Sequence, residues 1–189
     1  MSTFTHPWHI KRAVEALKAG GIIAYPTEAV WGLGCDPWNR TAVQRLLELK
    51  SRAMSKGLIL ACGQMSQLDF LLSPLSNTER QTLSESWPGP NTWLVPDTHH
   101  TIPQWIKGEH DTVAVRVSKH LLIKNVTALF GRPIVSTSAN PAGSEPAMNS
   151  LRIHQYFGRQ LDYIVPGSTG GEQQPSRIRS LNTGQVIRP

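Results

Sequence analysis

No apolar run in this chain of 189 residues is longer than five, and the longest is Leu58-Ile59-Leu60-Ala61-Cys62. A membrane-spanning helix needs roughly 18 or more apolar residues, so none is encoded here. What runs of this length can build is a set of short buried strands alternating with short amphipathic helices. The Ile22–Tyr25 run is closed at once by Pro26, and Trp93–Val95 by Pro96. Thr112-Val113-Ala114-Val115-Arg116-Val117 is the clearest strand, with the three valines on one face and Thr112, Ala114 and Arg116 on the other. Helical spacing of apolar residues predicts helices over 7–19, 40–50, 65–72, 77–86, 119–130 and 149–157, with Asn39 and Asn77 as caps. Further strands are expected at 57–61, 133–136, 161–165 and 185–188. Alternation of this kind predicts an α/β sheet. The Trp87-Pro88-Gly89-Pro90 turn and the terminal strands make it a twisted open sheet, mixed parallel and antiparallel and flanked by helices, in one domain over residues 1–189.

The composition is that of a folded protein: 39% apolar and 17% charged. The net charge of +6 favours polyanionic partners such as nucleotides or nucleic acid. Cys35 and Cys62 are too few for a disulfide framework or a four-thiolate zinc site and read as reduced thiols in a cytosol. The seven histidines contain no H-E-x-x-H, so no metal is expected on protein side chains.

Functional chemistry concentrates in loops. Lys50-Ser51-Arg52-Ala53-Met54-Ser55-Lys56 puts three cations into seven residues, between an expected helix and an expected strand. A helix-end dipole accounts for Lys50 but not for Arg52 or Lys56, which lie beyond the helix. Residues 26–36 read as a glycine-punctuated loop, and 136–143 as a small-polar loop opening from a strand. Neither phosphate-binding fingerprint, Walker A nor G-x-G-x-x-G, is present, and no G-x-S-x-G surrounds Ser136 or Ser138. What remains is cations and small hydroxyls on several segments: Thr27, Lys50, Arg52, Lys56, Thr92, Arg116, Ser136, Ser138, Asn140 and Ser176. Such a set suits charge stabilisation of a phosphorylated substrate, as in phosphoryl or nucleotidyl transfer. Taken singly, Arg116 on an exposed strand face and the serines as turn chemistry are equally good readings.

The ordered segments Pro26-Thr27-Glu28 with Gly32-Leu33-Gly34, Lys50-x-Arg52 with Lys56-Gly57-Leu58-Ile59, Trp87-Pro88-Gly89-Pro90-x-Thr92, Val113-Ala114-Val115-Arg116, Ser136-Thr137-Ser138-Ala139-Asn140 with Gly143, and Pro175-Ser176 resemble the YrdC/TsaC family. That family makes threonylcarbamoyl-AMP, and the length is similar to its short bacterial form. The resemblance implies a mixed α/β sheet with a basic concave cavity. It also implies a reaction joining L-threonine, bicarbonate or CO2, and ATP with Mg2+, releasing pyrophosphate. A transferase complex in the cytoplasm would then pass the group to adenosine 37 of tRNAs reading ANN codons. Carried onto this chain, Lys50, Arg52 and Lys56 would hold the ATP phosphates and Ser138 and Asn140 the nucleotide side. Thr27, Arg116 and Ser176 would hold threonine, and Thr92 and Ser136 would line the cavity between. The chain departs from the family at Ala53, where Pro is frequent, at Trp31, where Tyr or Phe is usual, and at Pro141-Ala142. Near position 180, where an acid is common, it has Ser180. The alternative reading is an RNA-binding maturation factor that uses the same basic surface. Against it, the tryptophans lie near turns and not in a stacking pattern.

Overall fold

The structure is a computed structural model that describes residues 6–172 and 174–188. Its first half comprises α1 (Pro7–Lys18), β1 (Ile23–Pro26), β2 (Trp31–Gly34), α2 (Arg40–Leu49), β3 (Ile59–Cys62), α3 (Asp69–Leu72), α4 (Asn77–Ser86) and β4 (Asn91–Pro96). It continues with α5 (Gln104–Lys107), β5 (Thr112–Val117), α6 (Leu121–Phe130), β6 (Ile134–Ser138), α7 (Ser150–Phe157), β7 (Tyr163–Ile164), β8 (Arg177–Ser180) and β9 (Val186–Arg188). Local chemistry sets several ends. The Asn39 side chain accepts from the Ala42 N–H at the start of α2. At α4 the cap is Ser76, one residue before the expected Asn77: Ser76 and Glu79 bond each other's backbone N–H reciprocally, satisfying two otherwise orphaned donors.

The strands form one mixed sheet in the order β7-β1-β2-β6-β3-β5-β4-β8-β9. The β1–β7, β3–β5 and β4–β8 pairs are parallel; the β1–β2, β2–β6, β3–β6, β4–β5 and β8–β9 pairs are antiparallel. Period-two alternation sends successive side chains to opposite faces. On one face Val113, Val115, Val117, Leu60, Trp93 and Val135 pack with Val43, Leu46 and Leu47 of α2, Leu83 of α4 and Ile153 and Phe157 of α7. On the other, Ile23, Tyr25, Ala61 and Ile134 pack with Ile10, Val14 and Leu17 of α1 and Leu122, Val126 and Phe130 of α6. Cys35 and Cys62 are free and buried in the first of these layers. Burial pushes both thiols up, that of Cys62 to about 12.

Two segments depart from the expectation. The polar stretch before β5 holds a turn of helix, α5, whose Ile106 is fully buried. More consequentially, Trp31–Gly34 is a strand and not a loop. Glycine weakens a strand unless another group covers it. Here the ring of Tyr25 does so: a Cβ on Gly34 would meet that ring at 2.9 Å and the Val135 carbonyl at 2.7 Å. Gly34→Ala is therefore expected to destabilise the fold by about 2 kcal/mol through overpacking, read from the midpoint of chemical denaturation.

Candidate active site

The helices α1 and α6 cover only part of their face of the sheet, and the strands change character where that cover ends. On β6, Ile134 packs under the helices, while Ser136 and Ser138 share its face and line a cavity. On β5, Thr112, Ala114 and Arg116 line it while the valines point into the opposite core. Ile59 and Ala61 of β3, Leu94 of β4 and Ile178 of β8 complete the floor. Thr27 and Glu28 from the β1–β2 turn, Arg52, Lys56, Gly57 and Leu58, Lys107, Glu172, Ser176 and Arg188 form the walls. The enclosed volume is about 510 Å³, within the range of small-molecule sites. Among the described residues the lining carries the cations Arg52, Lys56, Lys107, Arg116 and Arg188 against the carboxylates Glu28 and Glu172.

The central interaction is an ion pair between Arg116 Nη2 and Glu28 Oε1 at 2.7 Å. The Ser118 hydroxyl donates to the same oxygen at 2.6 Å. Burial alone would raise the Glu28 carboxyl, but Arg116 and Ser118 outweigh it and hold the group below the usual carboxylate range. Glu28 Oε2 and Arg116 Nε are buried and have no hydrogen-bond partner among the described residues. The Glu28 carbonyl accepts from Glu172 N–H and the Thr27 carbonyl from Gly170 N–H, both at 2.9 Å, so the segment before Ser176 is stitched to this turn. The Thr27 hydroxyl donates to the Val30 carbonyl at 2.7 Å.

The cation cluster is less uniform than its spacing suggests. Arg52 lines the cavity, donates from Nη2 to the Gly57 carbonyl at 3.0 Å and keeps a buried Nε with no partner among the described residues. Lys56 is exposed on the rim. Lys50 does not reach the cavity wall. Its side chain is buried, and its ammonium donates to the Ser138 carbonyl and, at 2.8 Å, to that of Asn140. Burial, with Arg52 nearby, pushes that ammonium down to about 8.

Of the ten residues named from the sequence, Thr27, Arg52, Lys56, Arg116, Ser136, Ser138 and Ser176 line one cavity. Lys50, Thr92 and Asn140 lie behind its wall. Thr92 is fully buried because Ser176 covers it, the two hydroxyls being 2.7 Å apart. Asn140 is turned away by its own bonds: Oδ1 accepts from the Ser138 hydroxyl, and Nδ2 donates to the Ser144 carbonyl, each at 2.7 Å. The charged lining residues Glu28, Glu172, Lys107 and Arg188 were not picked from the sequence. Glu28 stands inside a quoted motif, and a lone arginine on the face of β5 is the signal that an anion must meet it. Arg188 donates to the Ser176 carbonyl at 2.7 Å; burial, then the charges of Arg116 and Arg52, hold it below the usual arginine range. Lys107 pairs with Asp97 at 3.0 Å with both side chains buried. Among the described residues no group of three or more His, Cys, Asp or Glu is placed to hold a metal ion.

Glu28→Gln should destabilise the fold by about 3 kcal/mol at neutral pH, because it leaves Arg116 buried without its counter-ion. The native Glu28 pKa lies below its unfolded value, so this contribution is complete above about pH 4.5 and is lost as pH falls through the native pKa. Denaturation of wild type and variant from pH 7 to pH 3 should show the gap closing at the acid end.

Comparison with known proteins places the chain in a family and matches its fold. The family model Sua5_yciO_yrdC, described as telomere recombination, matches residues 15–189. A threonylcarbamoyl-AMP synthase of Pseudomonas fluorescens is 53% identical over 182 residues, 96% of this chain and 97% of that protein. The crystal structure of P. abyssi Sua5 complexed with L-threonine superposes with a TM-score of 0.89 at 29% identity, over 97% of this chain but 54% of its own. This chain thus spans about half of that longer protein. The crystal structure of E. coli YciO superposes with a TM-score of 0.84 at 26% identity, covering 97% of this chain and 89% of its own. The chain belongs to the Sua5/YciO/YrdC family.

Proposed function

We propose that this chain is a threonylcarbamoyl-AMP synthase, a nucleotidyltransferase acting as one unit on L-threonine, bicarbonate or CO2, and ATP. The observation that carries this reading is one cavity walled both by the free donors of Arg52 and Lys56 and by the Arg116–Glu28 pair. A zwitterionic amino acid needs both signs of charge. Arg116 retains donors for its carboxylate, and Glu28 Oε2 is a buried acceptor that an ammonium would satisfy. Thr27 and Ser176 add hydroxyls beside that pair. Arg52 and Lys56 take the triphosphate, with Ser136 and Ser138 between the two substrates.

In the reaction the threonine ammonium first gives up one proton to water to become a nucleophilic amine; its nitrogen then bonds to the carbon of CO2 and loses a second proton, forming a carbamate. A carbamate oxygen then attacks the α-phosphorus, the bond from that phosphorus to the bridging oxygen breaks, and pyrophosphate leaves with the bond's electrons. Arg52 and Lys56 stabilise the charge growing on the leaving group. Both cavity carboxylates are already paired, Glu28 with Arg116 and Glu172 with Lys119. Mg2+ therefore enters on the nucleotide's own phosphates, as that ion commonly does. The product is handed to a threonylcarbamoyl transferase complex that modifies adenosine 37 of tRNAs reading ANN codons, and we place the chain in the cytosol. Among the described residues no helix is long and apolar enough to cross a membrane. The cation surplus leaves direct RNA contact as a second property, but Trp31, Trp87 and Trp93 are buried and offer no stacking platform.

The test is pyrophosphate release with threonine and bicarbonate omitted in turn. Release should need both, and release independent of threonine would sink the reading. Arg52→Ala should lower turnover by about 100-fold or more, since it removes a charge facing the leaving group. The same variant should shift stability by no more than about 1 kcal/mol, the worth of its bond to the Gly57 carbonyl. Loss of the fold in a thermal melt would make Arg52 a structural residue instead.

A further inference from the structure

The Lys50 side chain spends its donors on the main chain of another segment. Its ammonium donates to the Ser138 and Asn140 carbonyls. Its own carbonyl accepts from the Ala142 N–H at 2.8 Å. Three bonds therefore tie the C-cap residue of α2 to the end of β6 and the turn after it. Within that turn the Ser138 hydroxyl is bonded to Asn140 Oδ1, and Asn140 Nδ2 to the Ser144 carbonyl. Lys50 is 4% exposed and, unlike Arg52 and Lys56, lines no part of the cavity.

The geometry points to Lys50 as a positioning residue that sets the Ser138–Asn140 segment against the nucleotide, and not as a ligand of the phosphates. The lysine of the cation cluster and the serine–asparagine segment then form one physical unit, and Arg52 and Lys56 carry the phosphate contacts without it. This rests on the synthase reading, because it presumes that Ser138 meets a nucleotide. The two roles differ in what they make of phosphate number. A phosphate ligand contributes more to ATP than to AMP and steepens the salt dependence of binding. A positioning residue contributes equally to every nucleotide sharing the adenosine and α-phosphate, and leaves the salt slope alone.

The experiment measures the affinities of AMP, ADP and ATP, at low and high salt, for wild type, Lys50→Met and Ala142→Pro. The second variant removes only the N–H that bonds the Lys50 carbonyl and leaves every cation in place. Position 142 accepts proline: the Ser144 N–H closes on the Pro141 carbonyl and Gly143 sits at φ 78°, the frame of a turn that favours proline at its second residue. Lys50→Met should lose affinity about tenfold for its two lost bonds to carbonyls and Ala142→Pro about threefold for its one, each by the same factor for all three nucleotides. Hydrogen exchange should quicken at the Asn140 and Ala142 amides in Lys50→Met. A loss in Lys50→Met that grows from AMP to ATP, with Ala142→Pro unaltered, overturns the assignment. If Lys50→Met does not fold, Ala142→Pro decides alone: an equal loss for the three nucleotides supports the clamp, and no loss overturns it. Failure of the wild type to bind any nucleotide removes the synthase reading, and the clamp's role with it.

Discussion

The sheet is held as one piece by β6. It pairs antiparallel with β2 on one side and β3 on the other, so the β7-β1-β2 set joins the remaining strands through it. Its sequence turns from Ile134-Val135 to Ser136-Thr137-Ser138 within five residues. A run of three hydroxyl residues is weak strand material by itself. It stays in the sheet because Gly32 pairs with Ser138, Leu33 with Thr137 and Ile59 with Ser136. The serines of the cavity are thereby carried on a strand bonded on both sides, which fixes them better than a loop could. Three residues of this seam, Ser136, Thr137 and Ser138, also line the site.

The cavity gathers charge that water would otherwise solvate, and the structure handles each group differently. Arg116 has a counter-ion, Arg52 and Arg188 lean on carbonyls, and Lys107 is neutralised by Asp97. Carbonyl partners satisfy part of a guanidinium's hydrogen bonding but none of its charge. An anion bound here would compensate that positive charge, and a bound triphosphate should stabilise the fold through mass action.

Much of this architecture is legible in short-range pattern. The β5 alternation placed Arg116 and the valines on opposite faces, and most helix ends fall within two residues of where capping and spacing put them. What the pattern does not carry is anything decided by a partner distant in the chain. Trp31–Gly34 reads as a turn because its glycines need Tyr25 to cover them, and that contact exists only once β1 and β2 pair. Glu28 reads as one acid in a loop until β5 brings Arg116 to it. Thr92 and Asn140 have the right side chains for a site, but Ser176 and Ser144 stand as their partners. Side-chain type predicted which segments meet; it did not predict which member of each segment faces the empty space.

The two cysteines carry a practical consequence. Both lie under the helices of one layer, and burial holds their thiols protonated far above neutral pH. Only a thiolate attacks maleimides, disulfides or peroxides at a useful rate. The folded chain should therefore behave toward such reagents as though it contained no cysteine. A reporter thiol introduced at a solvent-facing position on the rim could be labelled selectively without first engineering the native pair away, and occupancy of the cavity could be followed by fluorescence in the otherwise unaltered protein.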